Sequence, residues 1–218
     1  MSTLRGLAST TLAHYDGLSD EERREFLGLI RQEAERLEET VEQVATALRL
    51  DAGTLRFEPI RQNLPTAVSA AARAVDVGEH PLELDLPDAL EASFDGKRLA
   101  TLVQQLLRNA ARFSPPEEPI SIRLRREGSD AVLEVEDRGP GIPQERREEV
   151  FERFASWRPA GYEGVPGPGL GLFISRAIAA EHAGAIAIAD GPGGGTMLAV
   201  RLPLEGADGT SGDDAVDL

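Results

Sequence analysis

The amino-acid sequence predicts an α+β fold, a two-layer α/β sandwich preceded by a helical-hairpin segment. Three observations carry this. Apolar residues recur in steps of three and four from Phe26 to Leu48, as along one face of a long helix. Later stretches such as Leu82-Glu83-Leu84-Asp85-Leu86 alternate apolar and polar, as half-buried strands do. Strands come in pairs around glycine-bearing turns, at Gly128-Ser129-Asp130 and at 191–195, while helices sit between them. The expected layout is a hairpin segment at 1–53, the sandwich at 54–204 and an acidic tail at 205–218.

The elements follow in order. Residues 2–15 read as a helix with Leu4, Leu7, Ala8 and Leu12 on one side. Gly17-Leu18-Ser19-Asp20 breaks it, and Ser19 followed by Glu22 has capping-box spacing. The next helix covers 20–50, with a stripe of Phe26, Ile30, Ala34, Leu37, Val41, Val44 and Leu48. Such a hairpin has little core of its own, so the stripe is expected to meet another chain. The alternative is packing on the rest of this chain. Gly53 is placed as the C-cap.

Beyond it, a strand is expected at Arg56–Ile60, a helix at Leu64–Asp76, and strands at Leu82–Leu86 and Ala92–Phe94. A helix at Asp95–Phe113 comes next, then a hairpin of Ile120–Leu124 and Ala131–Val135. A short helix at Pro143–Val150, a helix at Leu170–Glu181 and a hairpin of Ala185–Ala189 with Thr196–Leu202 complete the set. The acidic, glycine-rich residues 205–218 are expected to be disordered.

The net charge of −15, with Lys97 the single lysine, argues against general nucleic-acid or anionic-membrane binding. Cysteine is absent, which excludes disulfides and thiolate metal sites. No stretch approaches the roughly 20 apolar residues of a membrane span, and the N-terminus lacks a signal-peptide core. A cytoplasmic location is expected, with a membrane anchor left open for a longer natural protein.

Four segments between residues 109 and 172 carry chemistry. In the first, Asn109-Ala110-Ala111-Arg112-Phe113-Ser114-Pro115, Asn109 follows Gln105 at i, i+4 on one helix face. Amide oxygens there can hold a hydrated Mg2+ that also binds phosphate, and Arg112 adds positive charge. An ordinary polar helix face is the alternative. In the second, Asp137-Arg138-Gly139-Pro140-Gly141, a strand-end carboxylate can accept from an exocyclic amine such as adenine N6, and the glycines let backbone approach the base. A tight acidic turn is the alternative. The third is Phe151-Glu152-Arg153-Phe154.

The fourth, Gly167-Pro168-Gly169-Leu170-Gly171-Leu172, opens a helix, so its amides and the helix dipole can face a triphosphate. It lacks the Gly-Lys-Ser/Thr of a Walker A loop and sits too late for a dinucleotide fingerprint. Ala155, Ser156, Pro159, Gly161, Gly164 and Pro166 give the intervening segment the composition of a mobile lid, or of a plain surface loop.

Together these segments resemble the ATP-binding boxes of sensor histidine kinases, in the wider group of gyrase B, heat-shock chaperones and mismatch-repair ATPases. Leu48-Arg49-Leu50-Asp51-Ala52-Gly53 resembles the usual end of that family's second dimerisation helix. The resemblance covers about residues 2–203. It implies a Bergerat-type sandwich that binds ATP with Mg2+ and transfers a phosphoryl group to histidine in two-component signalling. By match, Asn109 holds the metal, Asp137 reads adenine, and Gln105, Asn109 and Arg112 are the catalytic set. The implied ATP-binding residues are Asn109, Arg112, Phe113, Asp137, Gly139, Gly141, Ile142, Phe151, Arg153, Phe154, Gly167, Gly169, Leu170, Gly171, Leu172 and Thr196. Phe151 and Phe154 would anchor the lid, with Arg153 near the phosphates. Gly195-Thr196 resembles the last box, beside the adenine.

Two departures bear on activity. Gln105 stands where these kinases usually carry asparagine and hydrolytic relatives carry glutamate. An amide cannot act as a base for water, so Gln105 favours transfer over hydrolysis. The family's histidine box is expected upstream of Met1, and His14, His80 and His182 lack its pattern. The chain alone is therefore expected to be inactive. Expected partners are a homodimer through residues 2–50 or a heterodimer with a histidine-box protein, and a response regulator. The alternative is an ATP-binding adaptor that dimerises with a kinase without transfer of its own. Anti-sigma kinases, which phosphorylate serine, lack the long helix at 20–50.

Overall fold

The computed structural model describes residues 2–52, 56–155, 157–164 and 167–205. The expected Gly53 cap and nearly all of the 205–218 tail lie outside them. The chain divides into two compact units, Met1–Leu48 and Arg49–Leu218.

Two helices come first, α1 at Ser2–His14 and α2 at Asp20–Asp51. A 3-10 turn at Tyr15–Gly17 separates them. The capping box at Ser19 forms: Glu22 Oε2 accepts from Ser19 N at 2.8 Å and Ser19 Oγ accepts from Glu22 N at 3.3 Å. Both amides would otherwise be orphaned at the helix start. These bonds hold the Glu22 carboxyl below its usual pKa. Arg23 reaches back, donating to Tyr15 O at 2.8 Å while lying over the Tyr15 ring. The α2 stripe is half-buried at Phe26, Ile30, Ala34, Leu37 and Val44. Val41 and Leu48 are 67% and 63% exposed, and Leu27 beside the stripe is 57% exposed.

The second unit begins with β1 (Ile60–Asn63) and α3 (Leu64–Arg73), followed by β2 (Leu82–Asp85), β3 (Glu91–Phe94) and α4 (Gly96–Phe113). Then come β4 (Ile120–Glu127), β5 (Asp130–Glu136), α5 (Gly171–Glu181), β6 (Ala185–Asp190) and β7 (Thr196–Pro203). A five-stranded sheet has the order β2-β4-β5-β7-β6, and β1 with β3 forms a separate ribbon. All pairs are antiparallel except β2 with β4. The chain passes through β3 and α4 between those two, so no hairpin forces them to oppose.

Register builds the core. Leu84, Ile122, Val135, Leu198 and Ile188 stand side by side across the sheet. Leu124, Leu133, Val200 and Ile186 make the next row. Ile122, Leu133, Val135, Leu198 and Val200 are at most 1% exposed. Each such side chain contributes about 1.5–3 kcal/mol of burial. α4 and α5 pack on the sheet, and α3 packs on α4. α4 buries Leu99, Leu102, Val103, Leu106, Leu107 and Ala110. The opposite sheet face carries charge pairs between strands, among them Arg123 with Asp85 at 3.0 Å and Arg201 with Glu127 at 2.7 Å.

Four expected boundaries move. The strand expected at Ile120–Leu124 runs on to Glu127. The strand expected at 56–60 lies at Ile60–Asn63. Ahead of it the chain bonds to side chains instead, as with Glu58 N to Asp95 Oδ2 at 3.1 Å. α3 stops at Arg73 rather than Asp76, where the Asp76 carboxylate takes Gly78 N at 2.9 Å and forms a turn. The helix expected at 143–150 is two 3-10 turns, Gln144–Arg146 and Glu149–Phe151. Only Val150 and Phe151 are buried there, too narrow an apolar face to hold an α-helix.

Candidate active site

α4 supplies one wall. Its N-cap Asp95 accepts from Lys97 N and Arg98 N, and it ends where Ser114 N donates to Ala110 O at 2.9 Å. Gln105 is buried, and Asn109, Arg112 and Phe113 are half-buried. The glycine loop lies along this wall. A Cβ on Gly171 would stand 2.9 Å from Gln105 Oε1, and one on Gly167 would stand 2.5 Å from Arg112 Nη1. Leu170 between them is 1% exposed and anchors the loop, with Leu172 half-buried beside it. Gly169 has φ +68°, and a Cβ there would meet Ala155 backbone, with its N at 2.8 Å.

The Asp137 carboxylate forms the other end. It follows β5 and is 3% exposed. Its Oδ1 accepts from Gly139 N at 2.8 Å and Thr196 N at 3.0 Å, while Asp137 N donates to Thr196 O at 2.9 Å. Burial raises the pKa of this carboxyl, although the bonds from Thr196 and Gly139 pull the other way. Glycine is required around it. A Cβ on Gly139 would stand 2.7 Å from Phe113 O, and one on Gly195, at φ +80°, would stand 2.9 Å from Asp137 Oδ1. Gly141 packs on Gly195 O. Asp137, Gly139, Gly141, Gly195 and Thr196 thus come together at the C-terminal end of α4.

Four residues that the sequence reading did not single out support this end. Ser114 Oγ accepts from Arg138 N at 3.2 Å. Arg147 donates to Ile142 O at 3.1 Å, to Ile188 O at 3.4 Å and to Asp190 Oδ1 at 2.5 Å. It therefore ties the Asp137–Ile142 turn to the sheet edge. The Tyr162 ring lies 5.8 Å from that of Phe113, and Arg158 Nη2 donates to Gly167 O at 3.4 Å. Ser114 and Tyr162 at least lie inside segments the sequence marks. Arg147 binds carbonyls and a carboxylate 43 residues away, which no local pattern announces.

The phenylalanine pair separates. Phe151 is 3% exposed with Arg176 over its ring, whereas Phe154 is 64% exposed at φ +57°. Arg153 lies over the Phe173 ring at 4.7 Å. Ser156 and Pro166 of the expected lid lie outside the described residues. His182, at the C-terminal end of α5, is buried and neutral. Its Nδ1 bonds Ile178 O at 2.8 Å and its Nε2 accepts from Asp95 N at 3.1 Å. Desolvation lowers its pKa.

A nucleotide fits these residues. The glycines let the loop and the Asp137 turn close on their neighbours where a Cβ would collide with Gln105, Arg112, Phe113 or Asp137. Arg112 can meet phosphate charge, and Asp137 offers a buried acceptor to an exocyclic amine. Among the described residues no three of His, Cys, Asp and Glu gather to hold a metal directly. A divalent cation here would rely on the Asn109 amide oxygen and on phosphate oxygens.

The comparisons with known proteins point to one family. The family model of histidine kinase-, DNA gyrase B- and HSP90-like ATPases matches residues 94–206. The probable sensor histidine kinase TcrY of Mycobacterium tuberculosis is 35% identical over 209 residues, covering 94% of this chain and 43% of that protein. The solved mycobacterial sensor histidine kinase MprB is 27% identical with a TM-score of 0.57, covering 68% of this chain and 99% of that one. Full-length ShkA in complex with AMPPNP shares the fold at 20% identity and a TM-score of 0.67, over 94% of this chain and 44% of that one. This chain spans less than half the length of the curated relatives it matches.

Proposed function

We propose that this chain, which belongs to the histidine kinase-, DNA gyrase B- and HSP90-like ATPase family and carries a sensor histidine kinase ATP-binding domain, binds Mg-ATP and directs its γ-phosphoryl group to a histidine. The observation that carries this is the pairing of a buried Asp137 with a glycine loop laid along the Gln105–Arg112 face of α4. Asp137 reads the base edge, with Gly139, Gly141 and Thr196 beside it. Asn109 holds Mg2+, which when bound neutralises phosphate charge. Arg112 and the amides of Gly167–Leu172 orient the phosphates, and positioning supplies most of the catalysis in such transfers. Gln105 cannot take a proton from water, so hydrolysis is disfavoured.

The acceptor is a histidine on an upstream segment or a partner protein. His182 has both ring nitrogens engaged inside the fold. His14 and His80 bond the carbonyls of Thr10 and Glu118. Residues 1–53 act as a dimerisation segment, 54–204 as the catalytic domain, and a response regulator receives the phosphoryl group. The site of action is cytoplasmic. Among the described residues no helix is long and apolar enough to cross a membrane.

The test is labelling with γ-labelled ATP and Mg2+. The chain alone should give no acid-labile label. Adding a helical hairpin that carries a histidine box should restore it, and Asn109→Ala should abolish it. Good ATP binding without labelling of any such hairpin would favour the adaptor reading.

A further inference from the structure

Residues 56–58 follow the exit of α2, and each is held by a different member of one buried polar cluster. Arg98 Nη2 donates to Arg56 O at 3.0 Å. The Phe57 ring meets the His182 ring edge-on, with centroids 4.7 Å apart. Glu58 N donates to Asp95 Oδ2 at 3.1 Å. The cluster joins the first turn of α4 to the last turn of α5. Asp95 caps α4, Arg98 pairs with Glu181 of α5, and Asp95 N donates to His182 Nε2. Asp95, Arg98 and His182 are each at most 8% exposed. The candidate active site occupies the opposite ends of the same two helices.

The partners of His182 fix its tautomer. Ile178 O only accepts, so Nδ1 carries the proton. The Asp95 amide only donates, so Nε2 is bare. A second proton can enter only at Nε2, where it would face the Asp95 N–H and replace a hydrogen bond with two opposed donors.

We propose that this cluster is a proton-released latch: with His182 neutral it holds residues 56–58 against α4 and α5, and protonation of Nε2 frees them. The charged groups facing the ring are Asp95 and Arg98 from α4 and Glu181 from α5, and the held segment itself brings the side chains of Arg56 and Glu58. Asp95 and Glu181 favour the added proton, but both are already engaged by Arg98. Burial of the ring and the Arg98 charge oppose it. Because the folded pKa lies below the ordinary value of about 6.5, the latch is fully closed above that pH and weakens as pH falls below it. None of this depends on the nucleotide reading.

The test is a pH titration of the full 218-residue chain by NMR, following the His182 ring nitrogens and the exchange of the Glu58, Asp95 and Leu133 amides. Nε2 should be unprotonated at pH 7.5 and titrate below about 6.5. Between about pH 6.5 and the midpoint, and after correction for intrinsic exchange rates, protection of Glu58 and Asp95 should fall by up to about tenfold per pH unit, and level off below the midpoint. Leu133, in the centre of the sheet, should keep its protection. Phe57→Ala should raise the His182 midpoint by exposing the ring. Unchanged Glu58 protection through the His182 titration would overturn the latch. So would simultaneous loss at Leu133, or a midpoint indifferent to Phe57→Ala.

Discussion

Gln105 and Gly171 share one space: the amide oxygen of Gln105 sits 2.9 Å from where a Cβ on Gly171 would stand. The contact joins the Gln105–Arg112 face of α4 to the first residue of α5. Gly169, two residues earlier, is confined differently, by the Ala155 backbone and by its own φ of +68°. A side chain can swing aside, whereas backbone cannot.

Gly171→Ala should therefore displace Gln105 while changing stability by less than about 1 kcal/mol. Gly169→Ala should cost about 1–3 kcal/mol and loosen the segment beyond Phe154. Chemical denaturation of both variants checks the order. Equal losses would show that the Gln105 contact is as rigid as the backbone one.

Asp137→Asn should weaken ATP binding by about 1–3 kcal/mol, the cost of losing a buried acceptor. Stability at pH 7 should hold or rise, because asparagine Oδ1 can keep the bonds from Gly139 and Thr196 without burying a charge. The folded pKa of Asp137 is raised, so its ionised form costs stability at neutral pH. The variant's advantage should be largest near pH 7 and shrink as pH falls through the folded value toward 3.8, the ordinary value of an aspartate carboxyl. Calorimetric titration with ATP and urea unfolding at two pH values measure both effects.

Arg147→Ala should release the Ile142 turn from β6. KM for ATP should rise several-fold, about 1 kcal/mol per lost bond, with thermal stability lowered by a few degrees. Lysine cannot span both carbonyls and the Asp190 carboxylate with one planar fork, so Arg147→Lys should rescue little. Steady-state kinetics with a histidine-box hairpin as acceptor reads the change.

Substituting Leu27, Val41 and Leu48 by Asp should abolish self-association. These side chains are more than half exposed in the single chain, so folding should be nearly unchanged. Sedimentation at tens of micromolar compares the variant with the unmutated protein. A monomeric unmutated chain would sink the dimer reading.

Much of the fold was legible because periodicity and turns are local. The α2 stripe, the Ser19–Glu22 cap and both C-terminal hairpins needed only nearby residues. The parallel pairing of β2 with β4 is set by what lies between them, and no pattern inside Leu82–Asp85 records it. The 143–150 segment misled because its polar residues favour helix while only Val150 and Phe151 have a core to enter. In the site, the glycines and Asp137 stand in short motifs. Arg147 and the neutral state of His182 depend on partners 43 and 87 residues distant, so no local pattern announces either.

The register between β5 and β7 also governs when the site can exist during synthesis. Asp137 meets Thr196 59 residues later, and Leu204 O accepts from Ser93 N to close the ribbon side. A ribosome adding about 5–20 residues per second leaves β4 and β5 without their neighbour for several seconds. Through that interval the apolar rows through Val135 and Leu133 are open on one flank. The nascent domain is thus most exposed to chaperones and misassociation just before its last hairpin emerges, and nucleotide can begin to bind only afterwards.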